Sequence, residues 1–145
     1  MSQYLDKMCV VLANTYALYL KTQNYHWHVK GPNFKSLHEL FEGQYIELAD
    51  AVDKIAERIL TMGHNAPATF KQFEKLKTIK DGDSNKAAND MVLELANDNT
   101  LMSEFLNEVI QIASKHHDEG SVALLGERIA AHEKAMWMLG ASKER

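Results

Sequence analysis

A chain of 145 residues that is 46% hydrophobic and 25% charged, with seven Gly and two Pro, has the make-up of one folded domain, 1–145; such a composition excludes disorder, collagen-like sequence and a disulfide scaffold. Its single cysteine, Cys9, cannot bridge internally, which fits a reducing compartment. A net charge of −4, with no basic arm in Met-Ser-Gln-Tyr-Leu-Asp-Lys or Ser-Lys-Glu-Arg at the ends, argues against gripping nucleic acid by phosphate neutralisation.

Apolar spacing of three and four residues dominates the sequence and no segment alternates with a period of two, so an all-α protein is expected. The first helix carries Leu5, Met8, Leu12, Tyr16, Tyr19 and His26 on one stripe and breaks at Gly31-Pro32. Its apolar part, Met8–Leu20, is interrupted by Asn14, Thr15, Tyr16 and Tyr19 and lacks a small-residue cleavage site. It therefore reads as helix rather than signal peptide, and a cytoplasmic protein is expected. No apolar run reaches the ~18 residues of a membrane span. The second helix restarts near Ser36, where Ser36 and Glu39 have capping-box spacing. Its stripe is Leu37, Phe41, Leu48, Val52, Ile55, Ile59 and Met62, ended by Gly63.

A connection of about twenty residues, Gly63 to Asp83, follows. Within it Thr69–Leu76 predicts a short amphipathic helix through Phe70, Phe73 and Leu76. The third long helix is predicted over Ser84–His117, with Met91, Leu95, Met102, Phe105, Val109 and Ile112 inward and Gly120 as the stop. The last carries Val122, Leu125, Ile129, His132, Met136 and Leu139 and ends at Gly140. The other two connections are short, so the helices pair as antiparallel hairpins. Twenty extended residues reach ~65 Å, whereas a 27-residue helix is ~40 Å long. The long connection can therefore cross the bundle, which predicts a ferritin-like four-helix bundle with a crossover holding a short extra helix.

Four residues have the chemistry of metal ligands. His26 and His38 lie at comparable distances on either side of Gly31, so an antiparallel hairpin brings them face to face. Asp53 and Glu57 are an i,i+4 pair on one helix face. Neutral imidazole with carboxylate suits Fe(II), Zn(II) or Mn(II). His38 and Asp53 are separated by ~22 Å of helix rise, while a metal–ligand bond is ~2 Å. If all four bind one ion, the carboxylates must come from a second chain, and a two-fold axis supplies them naturally. Each feature also has an ordinary reading: a hydrogen-bonded core histidine, and a solvated acidic face. A site inside the bundle is not expected, because no histidine has a Glu three residues before it.

The run Asn24-Tyr25-His26-Trp27-His28-Val29-Lys30-Gly31-Pro32-Asn33-Phe34, then Ser36-Leu37-His38-Glu39-Leu40-Phe41, and Asp53-Lys54-Ile55-Ala56-Glu57-Arg58-Ile59, strongly resembles the Dps family of mini-ferritins. The likeness covers essentially the whole chain, through Trp137-Met138-Leu139. It implies a homo-dodecameric shell of tetrahedral symmetry that oxidises Fe(II), with hydrogen peroxide as the favoured oxidant, and stores the iron as Fe(III). The implied ligands are His26 and His38 from one subunit and Asp53 and Glu57 from the other, with Glu42 where the family often has a further acidic ligand or nucleating residue. Two irons per site are implied, bridged by Glu57 or Glu42. Trp27 matches a tryptophan near the family's site, where it scavenges radicals or simply packs. Glu39, Glu42 and Glu47 are expected on an acidic inner wall or a solvated face. Asp118 and Glu119, in His116-His117-Asp118-Glu119, fall where the family builds entry pores, although Ala123 departs from its spaced aspartates. His132 reads as a satisfied core or interface residue. The alternative activity is DNA compaction in starved cells, which in the family depends on basic termini; DNA binding is expected to be weak or absent here.

Overall fold

The computed structural model describes residues 2–144, so Met1 and Arg145 of the terminal runs lie outside it. The elements are α1 (Ser2–His28), α2 (Phe34–Thr61), α3 (Phe70–Leu76), α4 (Ala88–Lys115) and α5 (Glu119–Ser142), with no strand among the described residues. Helices α1 and α2 form one antiparallel hairpin and α4 and α5 the other; the hairpins meet mainly along α1 and α4. Residues 62–87 cross the bundle with α3 laid against α1, and this is the ferritin-like four-helix arrangement.

The part of the crossover that follows α3 is tied to α1 at two points by side chains that replace missing backbone partners. Asn14 is buried in α1; its carboxamide oxygen accepts the N–H groups of Thr78 and Ile79 at 2.7 and 3.1 Å, and its nitrogen donates to the Thr78 hydroxyl. Farther along, the Asp83 N–H donates to the Tyr25 hydroxyl and Ser84 to the Asn24 side chain. Non-helical backbone packed on a core needs such partners, because an orphaned buried donor costs about 1–3 kcal/mol.

The helix ends show where local sequence signals hold and where they fail. At Gly63 (φ +91) the His64 N–H donates to the Ile59 carbonyl and the Gly63 N–H to Leu60, a Schellman ending of the predicted kind. The same motif ends α4, but the left-handed residue is His117 (φ +54), with the Asp118 N–H on Ala113 and the His117 N–H on Ser114. Gly120 is therefore not the stop. It lies in the first turn of α5, where a Cβ would come within 2.7 Å of the Arg58 guanidinium. Nor do Ser36 and Glu39 form a capping box: α2 starts at Phe34 after Asn33, and the Ser36 hydroxyl donates to the Asn33 carbonyl. Helix α4 begins at Ala88, four residues later than Ser84, and α5 runs two residues beyond Gly140.

The core is two apolar clusters with a polar layer between them. Leu18, Tyr25, Leu37, Phe41, Met91 and Leu139 fill one end; Tyr4, Met8, Ile55, Ile59, Val109 and Leu125 fill the other. Between them, buried Arg128 makes a two-pronged ion pair with Glu47 and donates to His132 Nε2, while His132 Nδ1 donates to the Asn99 side chain at 2.8 Å. Acceptance at Nε2 fixes the neutral tautomer. His132 is thus the satisfied core residue its stripe position predicted.

Burial, and secondarily the charge of Arg128, pushes the His132 ring down to about 3 from 6.5. A group with a depressed folded value binds its proton more readily in the unfolded chain. Stability is therefore fully present above about pH 6.5 and falls as the pH drops from there toward 3, by at most about 1.4 kcal/mol per pH unit for this one group. His132→Gln should lower stability at neutral pH but flatten its dependence between about pH 6.5 and pH 5. Denaturant titrations of both proteins at several pH values check this; an unchanged slope would contradict it.

Candidate metal centre

The α1–α2 turn passes through Gly31 at φ +113, a conformation glycine tolerates, and this sets the two helices close at the end of the hairpin. The result is a reciprocal clamp. His26 Nδ1–H donates to the His38 backbone carbonyl at 2.7 Å, and His38 Nδ1–H donates to the His26 carbonyl at 2.7 Å. A carbonyl only accepts, so both rings carry their proton on Nδ1 and leave Nε2 as a free lone pair. The rings stack with centroids 3.8 Å apart, Phe34 covers His38, and Tyr45 meets His26 edge-on at 5.2 Å.

Glu42, one turn after His38, brings a carboxylate oxygen to 3.6 Å from His26 Nε2. Ligand atoms of His26, His38 and Glu42 all lie within 4.8 Å of one another; among the described residues this is the one such cluster of three or more. Two lone-pair imidazole nitrogens and a carboxylate suit a divalent first-row metal, and the set leaves coordination positions open. His26 is buried while Glu42 is half exposed, so the cluster opens outward from the subunit.

His26 is also held from behind. Its neighbour Tyr25 is buried and donates to Glu94 on α4 at 2.8 Å; Glu94 in turn pairs with buried Lys21 at 2.8 Å and with Lys86 at 2.7 Å. Burial alone would raise the Glu94 carboxyl, but the bonds from Lys21, Lys86 and Tyr25 outweigh it and hold it at about 2. Lys21 also reaches Asp98 at 2.8 Å. The last turns of α1 are thereby fastened to α4.

The other sequence-derived residues lie elsewhere. Asp53 and Glu57 are exposed on later turns of α2, ~22 Å and more of helix rise beyond His38, and do not approach the cluster within the subunit. Trp27 is 58% exposed and lines a groove between α1 and α3 with Leu20, Phe70 and Phe73. Glu39 is exposed, whereas Glu47 is engaged by Arg128. Asp118 is turned into the fold. It caps α5 by accepting from the Ser121 N–H, and it accepts from Tyr4, Arg58 and the Ser121 hydroxyl. Burial would raise its carboxyl; the bonds from Ser121, Tyr4 and Arg58 prevail and hold it at about 2. Glu119 next to it is exposed. Sequence reasoning did not pick out Phe34 or Tyr45, although spacings of four and seven residues from His38 put both on its face of α2.

A family model described as a ferritin-like domain matches residues 7–144. A DNA protection during starvation protein from Bacillus anthracis is 36% identical over 139 residues, covering 96% of this chain and 95% of that one. Dps from Staphylococcus aureus superposes with a TM-score of 0.95 at 33% identity, covering 100% of this chain and 97% of that one. The Dps protein of Vibrio cholerae, described as a member of a broad superfamily of ferritin-like diiron-carboxylate proteins, gives 0.92 at 29% identity, covering 97% and 88%. The bundle, its crossover and this likeness along nearly the full length place the chain in the Dps family of ferritin-like proteins.

Proposed function

We propose that this chain is a cytoplasmic ferroxidase and iron-storage subunit. It oxidises Fe(II) with hydrogen peroxide at sites completed by a second subunit, and stores Fe(III) inside a shell of twelve. The observation that carries this reading is the incomplete cluster: two oriented imidazoles and Glu42, open outward, with no fourth ligand among the described residues. No described helix is long and apolar enough to cross a membrane.

The periodicity of α2 supports completion in trans. At 100° per residue, His38, Glu42, Ile46, Asp53, Glu57 and Leu60 fall within a stripe about 100° wide on one side of the helix. Ile46 and Leu60 are more than half exposed there, as expected of a face that meets a partner. A two-fold axis crossing α2 between Glu47 and Leu48 would set His38 opposite Glu57 and Glu42 opposite Asp53. One axis thus aligns both histidine–glutamate and glutamate–aspartate partners, and it does so at two equivalent sites. The resulting ligand set can hold two Fe(II), with Glu57 or Glu42 bridging. Two Fe(II) ions each give one electron to hydrogen peroxide, which takes up two protons and leaves as two waters, so no hydroxyl radical is released.

Three measurements test the reading. The native mass should be ~197 kDa, twelve chains of 16.4 kDa; a stable monomer or a 24-mer at neutral pH would be incompatible with it. Two variants, His26→Ala with His38→Ala and Asp53→Ala with Glu57→Ala, should each lose rapid Fe(II) oxidation. After dissociation, mixing and reassembly, random pairing makes about half the dimers mixed, each with one intact site, so about one quarter of wild-type sites should return. No recovery in verified mixed shells would place the site within one chain.

A second reading, DNA compaction, draws support from the name of the B. anthracis relative. Twelve chains of −4 each give a shell near −48, with which phosphate backbones interact weakly. Linear duplex should therefore not shift in a gel at ~150 mM salt, and tight binding there would favour the second reading.

A further inference from the structure

The aromatic side chains around the metal cluster continue as a line. From His26 the Tyr45 ring lies at 5.2 Å, Tyr19 at 6.0 Å from Tyr45, Tyr16 at 5.7 Å from Tyr19, and Phe73 of α3 at 4.8 Å from Tyr16, stacked. Every step lies within the range of direct ring contact. Three consecutive members are phenols, and the fourth is a benzene ring that is far harder to oxidise. In the single subunit all three tyrosines are partly exposed, which gives each phenolic proton a route to water. Tyr16 ends the line in the groove that Trp27, Phe70 and Phe73 also line.

We propose that Tyr45, Tyr19 and Tyr16 form a hole-transfer relay that drains oxidising equivalents from the iron site when it holds a single Fe(II). This rests on the ferroxidase reading and adds residues to it. Hydrogen peroxide needs two electrons, and one Fe(II) supplies only one. Tyr45 gives the second, together with its phenolic proton. With one further proton from solvent the O–O bond breaks to two waters, leaving Fe(III) and a neutral tyrosyl radical. An electron and a proton then pass from Tyr19 to Tyr45, and next from Tyr16 to Tyr19. Phe73 cannot be oxidised in turn, so the hole rests on Tyr16, where a small reductant in solution reaches it. Trp27, although next to His26 in sequence, faces the groove and is not a link between His26 and Tyr45.

The test uses the assembled protein loaded anaerobically with one Fe(II) per His26–His38 pair, mixed with one equivalent of hydrogen peroxide and freeze-quenched. Electron paramagnetic resonance reads the radical, absorbance reads Fe(III) in the same samples, and a spin trap reads hydroxyl radical in solution. Wild type should give Fe(III) and a tyrosyl signal. Tyr45→Phe should still oxidise iron but lose the tyrosyl signal and release trapped hydroxyl radical. Tyr16→Phe should keep a signal with altered hyperfine structure, because the hole then stops on Tyr19. Trp27→Phe should keep the wild-type signal. Iron oxidised with an undiminished tyrosyl signal in Tyr45→Phe would overturn the relay while leaving the ferroxidase reading standing. Wild type that forms no Fe(III) would overturn both.

Discussion

The pair of hydrogen bonds that exchange imidazole and carbonyl between His26 and His38 is the constraint on which the site depends. Each ring is oriented by the backbone of the opposite helix, so neither can rotate without losing its hydrogen bond to that helix. Donation from Nδ1 selects the tautomer and leaves the Nε2 lone pair free. The His26 carbonyl, in the last turn of α1 where intrahelical donors run out, acquires a donor in the same stroke. Stability of the hairpin and readiness for a cation are thus consequences of one geometry, and Gly31 is the residue that lets the helices come close enough for it.

Charge placement extends this division. Cationic groups are spent inside the subunit: Lys21 on Glu94 and Asp98, Arg58 on Asp118, Arg128 on Glu47. Acidic groups without an internal cation remain on the outward side of α2, at Glu42, Asp53 and Glu57. Burying Lys21 and Arg128 is tolerable because each has carboxylate partners within bonding reach; removing one partner would strand a charge. The uncompensated carboxylates face outward, where an arriving cation can neutralise them.

Fold class and crossover were legible in the sequence because helical periodicity is a repeated signal carried by many residues at once. The short helix through Phe70, Phe73 and Leu76 was legible for the same reason. Single-residue punctuation was less reliable. Gly63 does end α2, but His117 takes the left-handed position expected near Gly120, and Gly120 is needed instead because Arg58 lies over it. Asn33 rather than Ser36 precedes α2, since Pro32 and the tight turn already fix the chain there. The approach of His26 to His38 was readable from their spacing about Gly31. Their bonds to backbone carbonyls were not, because carbonyls carry no sequence signature. Asp118 shows the converse: its residue type and place in the chain point toward a pore, and its contacts with Tyr4, Arg58 and Ser121 tie it into the subunit instead.

The polar layer at mid-height explains why the centre of this bundle is a poor place for iron. A ferritin-like bundle can carry its metals between the two halves of its core, where inward Glu and His side chains gather. Here that level is occupied by Arg128, with His132 held neutral by accepting from it and Glu47 neutralising it. A divalent ion at that depth would meet a fixed cation rather than free carboxylates, at a short distance and in a low dielectric, where repulsion is expensive. Protonating His132 would not help, since its lone pair is the one already used by the guanidinium. The bundle's interior is therefore closed to a cation by its own structural network. The imidazoles at the hairpin end and the carboxylates on the outer stripe of α2 stand outside that network. Because His38 and Glu57 lie nineteen positions apart on that stripe, ~28 Å of helix rise, they cannot share one ion within a single subunit.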